Sequence, residues 1–218
     1  MYRDMIGSAI IISVLNLLVA SEFDTKYNIH LLIPIVENMI GNTAIRPGMV
    51  VQTSNGKTVE IINTDAEGRL CLVDAINYVN LVLIKHKNPN NCLIIDIATL
   101  TGNTDSITSG ISALSMCNDK AHEYNDELIY LGERIGEYVD FLKIRKEYLD
   151  MLKSSIADIK NVNYDIKAGC VLGGTFLHYF VNDIIPWIHL DVASAAIDNE
   201  KVLSYGINLL YEFIKNLK

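Results

Sequence analysis

The chain has 218 residues and a formal net charge of −8, with 50% hydrophobic and 20% charged residues. That balance excludes an intrinsically disordered chain and is sufficient for one sizeable core. The acidic excess disfavours nucleic acid and anionic membrane surfaces as partners. Cys71, Cys92, Cys117 and Cys170 show no paired metal-type spacing, and three of them lie in apolar runs. Buried reduced thiols are therefore expected, not disulfides or metal ligands.

Met5 to Ser21 is uncharged, follows Arg3 and ends in Val19-Ala20-Ser21, like a short secretory segment. Asp4 contradicts a basic leader, and Ser8, Ser13 and Asn16 dilute the apolar run, which is also short for a bilayer span. Ile11, Val14, Leu15 and Leu18 have the spacing of a buried helix, so a soluble, cytoplasmic protein is expected. His30 to Ile35, Met49 to Gln52 and Thr58 to Ile62 read as strands, the last two joined by an Asn55-Gly56 hairpin turn. Gly68 to about Ile84 reads as a helix with Leu72, Ala75, Ile76, Val79 and Leu83 on one stripe. Cys92 to Ile97 has the continuous apolar character of a central parallel strand, and Ile111 to Met116 reads as a further strand.

A long helical stretch is expected from about Lys120, then a polar region around Lys160 to Lys167. Gly173 to Val181 reads as helix, Trp187 to Val192 as strand and Leu203 to Leu217 as helix, with Leu203, Ile207, Leu210, Ile214 and Leu217 in register. Strands separated by helices predict an α/β fold with a sheet covered on both faces. Chemistry in such folds gathers where strands end and helices begin.

Asn63-Thr64-Asp65-Ala66-Glu67-Gly68-Arg69-Leu70 occupies such a position. In an extended backbone Asp65 and Glu67 project to one side as hard oxygen donors, with Ala66 turned away. Arg69 falls in the first helical turn, where the helix dipole adds to its attraction for an anion. The spacing is equally that of a helix cap, with Asp65 capping and Glu67 satisfying the dipole.

The octapeptide matches letter for letter the signature of the leucyl aminopeptidase (cytosol aminopeptidase) family. Further elements follow in that family's order: Glu37-Asn38-Met39 with Arg46-Pro47-Gly48, Asp96 to Gly102, Ala157-Asp158 with Asn161, and Trp187 to Ala193. The resemblance implies an α/β catalytic domain with a mixed, mostly parallel central sheet. It implies an aminopeptidase that releases N-terminal residues, often leucine, through water activated by two divalent ions, zinc or manganese. Asp65, Glu67 and Asp4 match metal ligands, and Arg69 matches the arginine that holds a catalytic bicarbonate. Met1, Thr99, Leu100 and Gly102 match positions bordering the substrate. Peptide substrates and a homo-hexamer are the implied partners.

The sequence departs from the family's pattern in several places. The family's segment carrying a ligand lysine, a bridging aspartate and a second catalytic lysine lies upstream of the Asp4 element, and the sequence starts three residues before Asp4. Ile6 and Asn103 replace a glycine and an alanine. Residues 1–218 are thus expected to be a partial catalytic domain with little activity of its own, holding at most one weakly bound ion at Asp65 and Glu67. A non-catalytic paralogue acting in binding or subunit interaction is the alternative. His189, Asp158 and Asp191 read as structural, and Tyr124, Tyr130, Tyr138 and Tyr148 as packing or interface residues.

Overall fold

A computed structural model describes residues 2–84, 88–199 and 201–217. Helix α1 (Ile6–Ala20) leads to a long irregular segment, and the first strands appear only at β1 (Val50–Gln52) and β2 (Thr58–Glu60). The order continues as α2 (Gly68–Tyr78), β3 (Ile94–Ala98), α3 (Asp105–Thr108), β4 (Ala113–Cys117), α4 (His122–Ile135), β5 (Val139–Phe141), α5 (Lys146–Asp150) and β6 (Ile159–Lys160). It ends with α6 (Gly169–His178), β7 (Trp187–Asp191), a ribbon of β8 (Ile197–Asp198) and β9 (Lys201–Val202), and α7 (Ile207–Asn216).

The main sheet has the order β3-β7-β4-β5, parallel except where β4 meets β7. The mixed, mostly parallel α/β sheet expected from the sequence is therefore present. Alternation along β7 divides the core. Ile188 and Leu190 face the layer of α1, α4 and α7, with Leu128, Leu209 and Phe213 buried there. Trp187 faces the layer of α2 and α6, with Val73, Ile76, Leu172 and Phe176. A smaller sheet, β1-β2-β6, borders this second layer; β1 pairs antiparallel and β6 parallel to β2.

Some elements differ from the sequence reading. His30 to Ile35 forms no strand: residues 28–40 are irregular, because among the described residues the segment has no neighbouring strand to supply ladder bonds. β3 lies at the edge of its sheet among the described residues, so its apolar run reflects helices on both faces and not two flanking strands. α2 leaves α-helical geometry at Tyr78 and continues as a π-helical turn over Val79–Leu83. The middle helical stretch is interrupted by β5, which begins just after Tyr138. α6 starts earlier than expected, and Leu203 lies in an exposed loop outside α7. Cys117 and Cys170 are buried and Cys71 and Cys92 only partly so, and all four thiols are free.

α1 is long and apolar enough, together with the preceding turn, to cross a membrane by length and composition. In the fold its inner face is buried through Ile6, Ile10, Val14 and Leu18, a stripe offset from the expected one because Leu15 points outward. Gly7 sits directly on β3: a Cβ there would overlap the Ile97 carbonyl oxygen. This close approach seats the N-terminal turn, with Asp4, at the C-terminal end of β3. Gly7→Ala is expected to destabilise the chain by about 2–3 kcal/mol by forcing α1 away from the sheet. Chemical denaturation checks this, and an unchanged midpoint would contradict the seating.

Candidate functional site

The octapeptide leaves β2 and turns through a 3-10 helix, Thr64–Ala66, into α2. Asn63, not Asp65, caps that turn: its side-chain oxygen accepts the Asp65 N–H at 2.9 Å. Glu67 precedes α2 in helical conformation without capping it. The capping reading of the two carboxylates therefore fails. The backbone is helical, not extended, so Asp65 and Glu67 do not project in parallel as strand neighbours would. Asp65 is exposed, Glu67 half-buried, and Ala66 and Arg69 point inward.

Asn161 fixes this loop. Its Oδ1 accepts the Ile62 N–H at 2.8 Å, and its Nδ2 donates to the Asn63 and Ala66 carbonyls at 2.7 and 3.3 Å. Its own carbonyl accepts from an Arg69 guanidinium nitrogen at 2.8 Å. A completely buried amide thus satisfies the loop's backbone and orients its cation. Asp158 joins the same sheet to the start of β2, accepting from the Thr58 N–H and hydroxyl, each at 2.7 Å.

Arg69 is only 6% exposed. Its Cζ lies 5.8 Å from the Phe176 ring centroid, and its Nε has no hydrogen-bond partner. Burial pushes its pKa down to about 10, against the opposing charges of Asp191, Tyr164 and Glu67. The guanidinium stays charged at neutral pH, so this desolvated cation carries a buried donor without a protein partner.

The second cluster of candidates follows β3. Leu100 N–H and the Thr101 hydroxyl donate to the two oxygens of Asp191, at 3.1 and 2.6 Å. The Thr99 hydroxyl donates to the Arg3 carbonyl at 3.3 Å, bringing the turn that carries Asp4 beside this loop. Gly102 is exposed. Helix α6 closes over the loop, where a Cβ on Gly173 would lie 2.7 Å from Thr101 Cγ2 and one on Gly169 2.5 Å from Asn103 Oδ1. Met1, also a candidate, lies outside the described residues.

Asp191, bonded to Leu100 and electrostatically coupled to Arg69, connects the two clusters. Among the described residues no group of three His, Cys, Asp or Glu side chains is gathered so as to hold a metal ion, Asp4, Asp65 and Glu67 included. Asp65 and Glu67 supply hard oxygens suited to a divalent ion, yet these residues by themselves do not fit a two-ion centre.

The family model for the cytosol aminopeptidase catalytic domain matches residues 1–210. The chain belongs to the cytosol aminopeptidase family. A probable cytosol aminopeptidase of Rickettsia rickettsii (strain Sheila Smith) is 36% identical over 99% of this chain, and one of Rickettsia typhi is 38% identical over the same share. A tomato leucine aminopeptidase mutant superposes with a TM-score of 0.88 and 32% identity over 100% of this chain and 41% of its own. The chain spans 43% of the length of the Rickettsia relatives.

In the sequence of this cytosol aminopeptidase domain Asn161 stands out only as part of a motif, and no role follows from it. Its signal is a lone asparagine shortly after a short strand, too weak to reveal a clamp on a loop 98 residues away. Tyr164, which contacts Asn63 and contributes to the electrostatics of Arg69, was not singled out. Asn161→Ala removes four side-chain hydrogen bonds and is expected to cost about 2–4 kcal/mol. Hydrogen exchange at Ile62 and Asn63, whose N–H groups bond to the Asn161 side chain, should accelerate more than at β7. Uniform acceleration would argue against a local clamp.

Proposed function

We propose that this chain carries the catalytic-domain part of a cytoplasmic, metal-dependent aminopeptidase that releases N-terminal residues, leucine-type by preference, from peptides. The observation that carries this reading is Arg69: a desolvated guanidinium with an unpartnered Nε, at a strand-to-helix junction flanked by Asp65 and Glu67. Family membership and the similarity to the tomato enzyme support it.

In this reading Asp65 and Glu67 are ligands for a divalent ion, zinc or manganese, with Asp4 as a further donor. Arg69 holds a bicarbonate through its free Nε–H. Thr99, Leu100 and Gly102 border the peptide, with Met1 at its side-chain pocket. Residues 1–218 act as a partial catalytic domain. Ile35, Val36, Met39 and Ile40 are 86%, 67%, 72% and 104% exposed on the irregular segment, which supports subunit contact in a homo-oligomer such as a hexamer.

The described residues gather no three-donor group, so slow turnover is expected from these 218 residues alone. Leucine-amide hydrolysis with added manganese or zinc should stay within ~10-fold of the Glu67→Ala background, a barrier difference of about 1.4 kcal/mol. Calorimetric titration of manganese should show weak binding that Asp65→Ala and Glu67→Ala each remove. Robust turnover lost in Glu67→Ala would overturn the low-activity reading. Manganese binding unchanged in both variants would overturn the ligand assignment.

A further inference from the structure

Four ionisable side chains are buried together on the α6 side of the main sheet. Asp96 is 8% exposed, Arg69 6%, and His189 and Asp191 0%. Asp96 accepts from Trp187 Nε1 at 2.6 Å, and its other oxygen lies 2.5 Å from His189 Nδ1. Asp191 accepts from Leu100 N–H, Ala193 N–H and the Thr101 hydroxyl, the pattern of an ionised carboxylate. Two buried anions therefore sit near two basic groups. Isolated charges in such a place are costly, and the arrangement persists only if the charges balance.

We infer that His189 is a positioning residue for Arg69: as an imidazolium it offsets the charge of Asp96 and Asp191, so that the Arg69 guanidinium is not consumed as their counter-ion and keeps its unpartnered Nε for an external anion. This rests on the anion-holding role of Arg69 proposed above. If His189 were neutral, three charges would remain, two negative and one positive, and Arg69 would be held by Asp191. The groups facing His189 are Asp96 from β3, Asp191 from its own strand and Arg69 from α2. α6 contributes Phe176 against Arg69, while its His178 stacks on Trp187.

Burial alone would lower the imidazole pKa, but the charge and hydrogen bond of Asp96, with Asp191, raise it overall against the repulsion of Arg69. A raised pKa means that the imidazolium is present below the ordinary histidine value and is lost as pH rises through the higher, folded value. Anion affinity at Arg69 should fall over the same interval.

Nitrate is the suitable probe, a planar monoanion like bicarbonate whose charge is constant between about pH 5 and 9, the range in which histidine titrates. Nitrate binding to the 218-residue chain is measured against chloride at equal ionic strength, and the His189 imidazole nitrogens are followed by NMR. The wild-type affinity should weaken by ~10-fold as His189 deprotonates, as expected for one unit of charge coupling. His189→Gln should bind weakly without that pH dependence, Arg69→Ala should not bind, and Arg69→Ala should raise the His189 pKa by removing a like charge. Wild-type binding preserved in His189→Gln overturns the role of His189 alone. No nitrate binding by the wild type overturns both the anion site and the inference built on it. The NMR measurements need no His189 variant to fold: a neutral imidazole throughout, or a pKa unmoved by Arg69→Ala, overturns the charge balance.

Discussion

The buried side chain of Asn161 is the contact on which the candidate site depends. Among the described residues the loop carrying Asp65 and Glu67 has no strand neighbour of its own after β2, so its backbone groups need partners from elsewhere. One amide supplies them on two sides, and the adjoining carbonyl fixes the guanidinium of Arg69. Without it, the carboxylates would sit on an exposed turn with no defined relation to the cation. The pairing of β6 with β2 and the tie from Asp158 to Thr58 bring Asn161 into place.

A second constraint is the depth of charge beneath the site. Asp96, His189 and Asp191 occupy positions on β3 and β7 that would ordinarily hold aliphatic side chains. Their hydrogen bonds cross between strands and reach the following loop, so the polar layer joins the sheet to the Leu100 N–H and the Thr101 hydroxyl. Close packing of the glycines of α6 then seals the layer. Electrostatics and packing support each other here, because a side chain at Gly173 would displace the loop that Asp191 holds.

The octapeptide was legible because its identity is local: eight consecutive residues at the junction of a strand and a helix, with Arg69 in the first turn as its position requires. The strand over Trp187 to Asp191 was legible for the same reason. The capping reading of Asp65 was not resolved by spacing, since Asn63 competes for the same turn with a side chain of equal capping ability. His30 to Ile35 shows the opposite failure. Its apolar character satisfies strand propensity, but a strand exists only where a partner lies alongside, which composition does not encode. The role of Asn161 depends on a contact between distant segments, and single-residue patterns carry no trace of it.

The separation of Asn161 from the loop has a consequence for how the protein is made. Ile62 and Asn161 are 99 residues apart. During synthesis the octapeptide leaves the ribosome long before the residue that shapes it. Closing so long a loop carries an entropic cost that local turns do not, so this junction cannot form as a local turn does. Asp65, Glu67 and Arg69 thus emerge on a newborn chain as an unshaped turn. They acquire their arrangement only once the second half of the polypeptide has folded back upon the first.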